Sequence, residues 1–83
     1  PKLSEERRKE LAKVVSKYSE SAKITVRNIR RDMMDSTKKE EKDKNISQDD
    51  MKKILSDIQS ITDEYISEID LITSNKQTEI LKV

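Results

Sequence analysis

Three arginines, Arg27, Arg30 and Arg31, stand at i, i+3 and i+4 within the stretch Ile24-Thr25-Val26-Arg27-Asn28-Ile29-Arg30-Arg31-Asp32. On a helix that spacing brings them to one side, with Lys23 a turn earlier. A guanidinium is planar, permanently charged and offers a fork of donors, so such a cluster suits phosphate and base-edge recognition better than mobile lysines would. Val26, Ile29 and Met33 are expected on the buried side. At about 100° per residue, Arg30 lies about 70 to 80° from the centre of the apolar stripe, whereas Arg27 and Arg31 lie beyond about 100°. Arg30 is therefore expected at the boundary, its stem along the core edge and its guanidinium projecting at a fixed angle. The plainer reading of the same residues is a solvated charged face.

Other chemistry lacks its materials. The chain has no His, Cys or Gly, so it holds no thiol or imidazole nucleophile, no glycine-rich phosphate loop and no nucleophile elbow. Glu40-Glu41, Asp49-Asp50 and Asp63-Glu64 are adjacent pairs, and neighbours on a helix point about 100° apart, so they read as capping and surface charge rather than acid/base dyads. A calcium loop over Asp43, Asn45, Ser47 and Asp49 fails, because Gln48 and Ile54 occupy the positions that need glycine and a bidentate glutamate. No catalytic residue, cofactor or metal is expected. Tyr18 and Tyr65 are the only aromatics, both fall on apolar seams, and core packing is expected of them rather than base stacking.

The elements that must position the arginines follow from composition and period. Of 83 residues, 42% are charged and 31% hydrophobic, with no glycine and a single proline at position 1. The net charge is only +1, and Leu, Ile and Val account for 19 residues, which places the chain among helical rather than disordered sequences. The balance hides an asymmetry: residues 1–39 carry 12 basic and 6 acidic groups, residues 40–83 carry 6 and 11. One half seeks anions and the other either pairs with it or faces water. No apolar run approaches the roughly 18 residues of a membrane span, and the apolar positions look committed to packing, so no membrane partner is expected and a cytoplasmic setting is the simplest.

Ser4 is placed to cap a first helix, with Glu5 and Glu6 in its first turn and Pro1 disfavouring an earlier start beside Leu3. Leu11, Val15, Tyr18, Ala22, Val26, Ile29 and Met33 then recur at steps of three and four, with Val14 and Ile24 off the seam. That extra width suits a helix with two neighbours. The run 38–44 has no apolar residue, and the helix is expected to fray within it. Ser47 can cap a second helix, with Asp50 at the acidic capping-box position and Ile46 stapled onto Met51. Met51, Ile54, Ile58, Ile61, Tyr65, Ile69 and Ile72 form a second seam, expected to be dry and core-like, with Leu55, Ile66, Ile80 and Leu81 adding to it. The fold class is all-α: a long antiparallel helical hairpin, a rod of about 50 to 60 Å, with a helix over about 4–43, a turn at about 44–47 and a helix over about 48–81. Two helices bury little, so the isolated hairpin is expected to be marginal or to borrow a third helix from another copy by self-association.

Leu3-Ser4-Glu5-Glu6-Arg7-Arg8-Lys9-Glu10-Leu11, Val26-Arg27-Asn28-Ile29-Arg30-Arg31-Asp32 and Lys42-Asp43-Lys44-Asn45-Ile46-Ser47, followed by Asp63, Ile69 and Lys76, resemble the bacterial ribosome recycling factors in order and spacing over essentially the whole chain. The resemblance implies the second and third helices of a three-helix bundle, with the first helix and an inserted β-rich domain absent; the start at Pro1 rather than Met fits a piece of a longer protein. It implies a non-enzymatic factor that binds large-subunit ribosomal RNA and acts with elongation factor G to dissociate post-termination ribosomes. By the same resemblance Arg30 is the foremost ribosome-binding arginine, Arg27 a second and Arg8 a third, with Arg31, Asn28 and Lys23 in support. The competing reading is a helical-hairpin protein-interaction module without RNA binding; a coiled-coil spacer would explain the seams but not the arginines.

Overall fold

Ser4 begins the first helix as a capping residue should: its backbone is extended, its Oγ accepts the Arg7 amide at 3.1 Å, and Glu5 and Glu6 stand at the positive end of the helix. The computed structural model describes residues 4–82, so the expected roles of Pro1 and Leu3 at this start lie outside the described residues. Helix α1 covers Glu5–Lys42, 38 residues that no glycine or proline interrupts. Ion pairs one turn apart, such as Glu5–Lys9 at 3.2 Å and Arg7–Glu10 at 3.1 Å, line its exposed surface and contribute about 0.2 to 0.5 kcal/mol each.

The charged run at 38–44 stays helical through Lys42 and then reverses. Lys44 has φ 63°, the left-handed region usually given to glycine, and its N–H reaches Glu41 O at 2.9 Å while the Asn45 N–H reaches Glu40 O at 2.9 Å. The pattern satisfies the last carbonyls of α1, and the Asn45 side-chain amide fastens it to the Glu40 carboxylate at 3.0 Å. Ser47 then opens α2, Gln48–Leu81, accepting the Asp50 amide at 3.0 Å. The two helices pack antiparallel as an all-α hairpin of 62 × 15 × 10 Å, with no strand among the described residues.

The line along which the helices meet runs along one edge of the apolar seams rather than down their middle. Buried there are Ser19 and Thr37 of α1 and Ile58 and Thr62 of α2, with Ala12, Val15, Val26, Met34, Leu55, Ile66 and Ile69 half-buried beside them. Small side chains let the backbones approach, and the threonines remain satisfied by turning their hydroxyls onto their own helix: Thr37 donates to Met33 O at 2.8 Å, Thr62 to Ile58 O at 2.7 Å. Ile58, 6% exposed, is the one buried hydrophobic residue among the described residues. At the open end the helices are tied by side chains instead. Gln77 Nε2 donates to Ala12 O at 3.0 Å and to Ser16 Oγ at 2.6 Å, and Lys23 bridges to Asp70.

This corrects the expected core. Tyr18 and Tyr65 do not pack inside; they are 74% and 60% exposed, and Ile29, Met33, Ile54, Ile61 and Ile72 are also exposed. The second seam is therefore not dry. A helix with one neighbour buries only the arc facing it, and here that arc holds Ser19, Thr37 and Thr62 together with Ile58, Leu55 and Ile69. The large ones flank it along one common face, where Val26, Ile29, Met33, Ile58, Ile61 and Tyr65 line an apolar trough of about 270 Å³ between the helices.

Candidate nucleic-acid interface

Arg27 and Arg31 lie on the opposite side of the line of contact from the trough, and Arg30 lies between them and it. Taking Ser19, Val26 and Thr37 as the centre of the arc that faces α2, and about 100° per residue, Ile29 and Tyr18 stand about 80 to 100° to one side, while Arg27 stands about 80° and Arg31 about 120° to the other. Arg27, Asn28 and Arg31 are exposed, and Asn28 points almost directly away from α2. Arg30 falls within the contact arc, half-buried, and its side chain borders the trough beside Val26 and Thr62. Its stem is thus held against the hairpin, more enclosed than a boundary position would make it. Among the described residues no carboxylate lies within ion-pair distance of Arg27, Arg30 or Arg31.

The remaining sequence candidates are not brought to this cluster. Arg8, half-buried, sits 22 residues before Arg30, about 33 Å along the helix. Lys23 is on the arginine side but is engaged: its Nζ lies 2.9 Å from Asp70 Oδ1 and 3.1 Å from Glu20 Oε1, and its side chain is 14% exposed. It serves as a strut between the helices. Sequence reasoning missed this because it requires the register that sets residue 23 opposite residue 70. It also passed over Lys13, Lys17 and Lys38, which are exposed and lie on the outward side of α1 with Arg27 and Arg31. Steps of 4 and 7 from Lys13 to Lys17 and from Arg31 to Lys38 were the available signal, interrupted by Glu20 and Asp35.

The hydrogen bonds from Lys23 to Asp70 and then Glu20 hold its ammonium above the usual 10.5. A group with a raised folded-state pKa contributes fully below its unfolded value and loses that contribution as pH rises through the folded one. Hairpin stability should accordingly stay flat with respect to this group up to about pH 10 and decline above it. In Lys23→Met, followed by thermal melts across pH, that alkaline decline should be smaller than in the parent; an identical profile would show that the bridge contributes nothing.

Among the described residues there is no cluster of three or more His, Cys, Asp or Glu side chains able to hold a metal, and no helix long and apolar enough to cross a membrane. What the surface offers is two exposed guanidinium groups, Arg27 and Arg31, on the side of α1 away from the trough, with a third, Arg30, held half-buried at the trough's border.

The chain was compared with known proteins. The sequence model of the family described as ribosome recycling factor matches residues 1–81. Curated relatives are the ribosome-recycling factors of Bacillus licheniformis, 55% identical over 83 residues, Bacillus subtilis, 53% identical, and Streptococcus mutans, 54% identical. Each alignment covers 100% of this chain and 45% of the relative, so the chain spans a little under half the length of the proteins it matches. A match of this extent and identity makes the chain a member of the ribosome recycling factor family.

Proposed function

We propose that this chain binds ribosomal RNA of the large subunit through the arginine side of α1 and, acting with elongation factor G, takes part in dissociating post-termination ribosomes into subunits. Family membership supports the recycling role. The observation that supports the RNA contact is the placement of Arg27, Arg30 and Arg31 on one helix without carboxylate partners among the described residues, Arg27 and Arg31 exposed on the side away from the apolar trough and Arg30 half-buried at its border. Helical arginines cannot read the deep groove of an RNA duplex, but they can grip phosphates and 2′-hydroxyls presented by folded RNA. In this mechanism the phosphate contacts set the orientation of the rod, and movement driven by the partner GTPase is transmitted along it as a push against the contacts between subunits. The factor performs no covalent chemistry.

Binding of the 83-residue chain to isolated large subunits over a salt series tests the reading. The expected result is a log-affinity that falls linearly with log salt, with a slope of about 0.7 to 0.9 for each phosphate neutralised. Binding that ignores salt but is lost on altering the trough would reverse the assignment in favour of a protein-interaction module.

A further inference from the structure

We propose that Lys13 and Lys17 form a second phosphate-binding patch on α1, separate from the arginines, which takes a second stretch of RNA backbone. The inference rests on the RNA reading of the arginine side and adds a foothold to it. Both lysines are exposed, and among the described residues neither has a carboxylate within ion-pair distance. The carboxylates one turn away are engaged elsewhere, Glu10 by Arg7 at 3.1 Å and Glu20 by Lys23 at 3.1 Å. Lys13 and Lys17 are themselves one turn apart, so two like charges face each other, an arrangement that costs helix stability unless an anion sits between them. Lys13 lies about five turns before Arg31 and so points the same way, about 27 Å along the rod.

The two patches are not one continuous rail. Between Lys17 and Arg27, about 15 Å apart along the helix, the same side carries Glu20 and Ile24, the latter 55% exposed. Lys23 is the one cation in that interval, and it is clamped by Asp70 at 2.9 Å and Glu20 at 3.1 Å. One ammonium against two carboxylates leaves this knot net negative. A phosphate chain running straight from the arginines to the lysines would cross it against like charge, whereas two separate segments, each docked on its own patch, would not. Because α1 is one uninterrupted helix, the patches keep a fixed separation. The rod then recognises the spacing of two backbone segments in folded RNA, which is shape rather than base sequence.

Two measurements on the 83-residue chain with isolated large ribosomal subunits form the test. Lys13→Gln combined with Lys17→Gln should lower the log-log salt slope by about 1.4 to 1.8, two contacts' worth, at unchanged helicity, and Arg27→Gln combined with Arg31→Gln should do the same. Hydroxyl-radical cleavage from an iron chelate on a single introduced cysteine then locates the RNA. The chain has no cysteine of its own, so Glu6→Cys and Asp35→Cys carry the chelate near the lysines and near the arginines without removing either. Cuts are expected in two stretches of ribosomal RNA that are not continuous along one strand. A slope that responds to the arginine pair but not to the lysine pair would overturn the second patch and leave the RNA reading standing, and a slope that responds to neither would overturn both. Cuts from the two labels within one unbroken strand would overturn the separation.

Discussion

Replacing Arg27, Arg30 and Arg31 together by alanine is expected to weaken binding to the large ribosomal subunit and to flatten its log-log salt dependence by about 2 to 3, the sum of three phosphate contacts. The helix itself should be indifferent to the change at Arg27 and Arg31, since alanine is at least as good a helix former and both side chains are exposed. Arg30 differs. Its half-buried stem borders the trough, so Arg30→Ala removes packing together with charge, whereas Arg30→Met keeps a stem of similar reach. The methionine variant should therefore match the parent in thermal stability while losing about one contact's worth of salt slope. Equal helicity with an unchanged slope in the triple variant would reject the arginine side as the RNA surface.

The second large effect concerns the hairpin. Ile58→Ala is expected to lower the unfolding free energy by about 2 to 4 kcal/mol, read from urea titrations at fixed chain concentration. Leu71→Ala, on the outward side of α2 where the side chain is largely exposed, should stay within about 0.5 kcal/mol. The contrast follows from where the contact line runs, since both changes delete the same kind of aliphatic side chain. A domain of ordinary stability has about 5 to 15 kcal/mol in hand, so the loss at Ile58 removes a substantial part of it. Equal costs at the two positions would mean that the helices do not meet along Ser19, Thr37, Ile58 and Thr62.

The sequence makes the helices and their ends legible, because the signals are local. Ser4 and Ser47 cap as their types foretell, and the two long apolar periods with no glycine between them leave little besides an all-α hairpin. What periodicity does not decide is which arc of a helix meets its neighbour. On α1 two stripes run side by side, one of Tyr18, Ile29 and Met33, the other of Ser19, Val26, Arg30 and Thr37. The larger residues dominate any hydrophobic average, but close approach of two backbones favours the smaller ones. Hydroxyls that bond back to their own helix make such residues acceptable there, a satisfaction that side-chain type alone does not reveal.

The same limit applies to the arginine side. Spacing groups Arg27, Arg30 and Arg31 correctly on one helix, yet Lys23 shares their neighbourhood in sequence and is withdrawn from solvent by a carboxylate 47 residues away. No property of residues 20–35 announces that. Conversely, Lys13, Lys17 and Lys38 extend the cationic side over several turns, and they go unnoticed when attention is confined to the densest cluster.

The side-chain ties between helices have a further consequence for the order in which the chain assembles. They join residues 47, 61 and 65 positions apart, from Lys23 and Asp70 near the middle of the rod to Gln77 near the end away from the turn, whereas the turn at Lys44 and Asn45 closes within a few residues. Closing a short loop costs less chain entropy than closing a long one, and each contact made shortens the loop left to close. Assembly then proceeds as a zipper that starts at the turn, passes Lys23 and Asp70, and finishes at Gln77. Opening runs in reverse, so Gln77 and Lys23 act as successive clasps against fraying, and Arg27, Arg30 and Arg31, lying on the turn side of both, keep their helical scaffold longest.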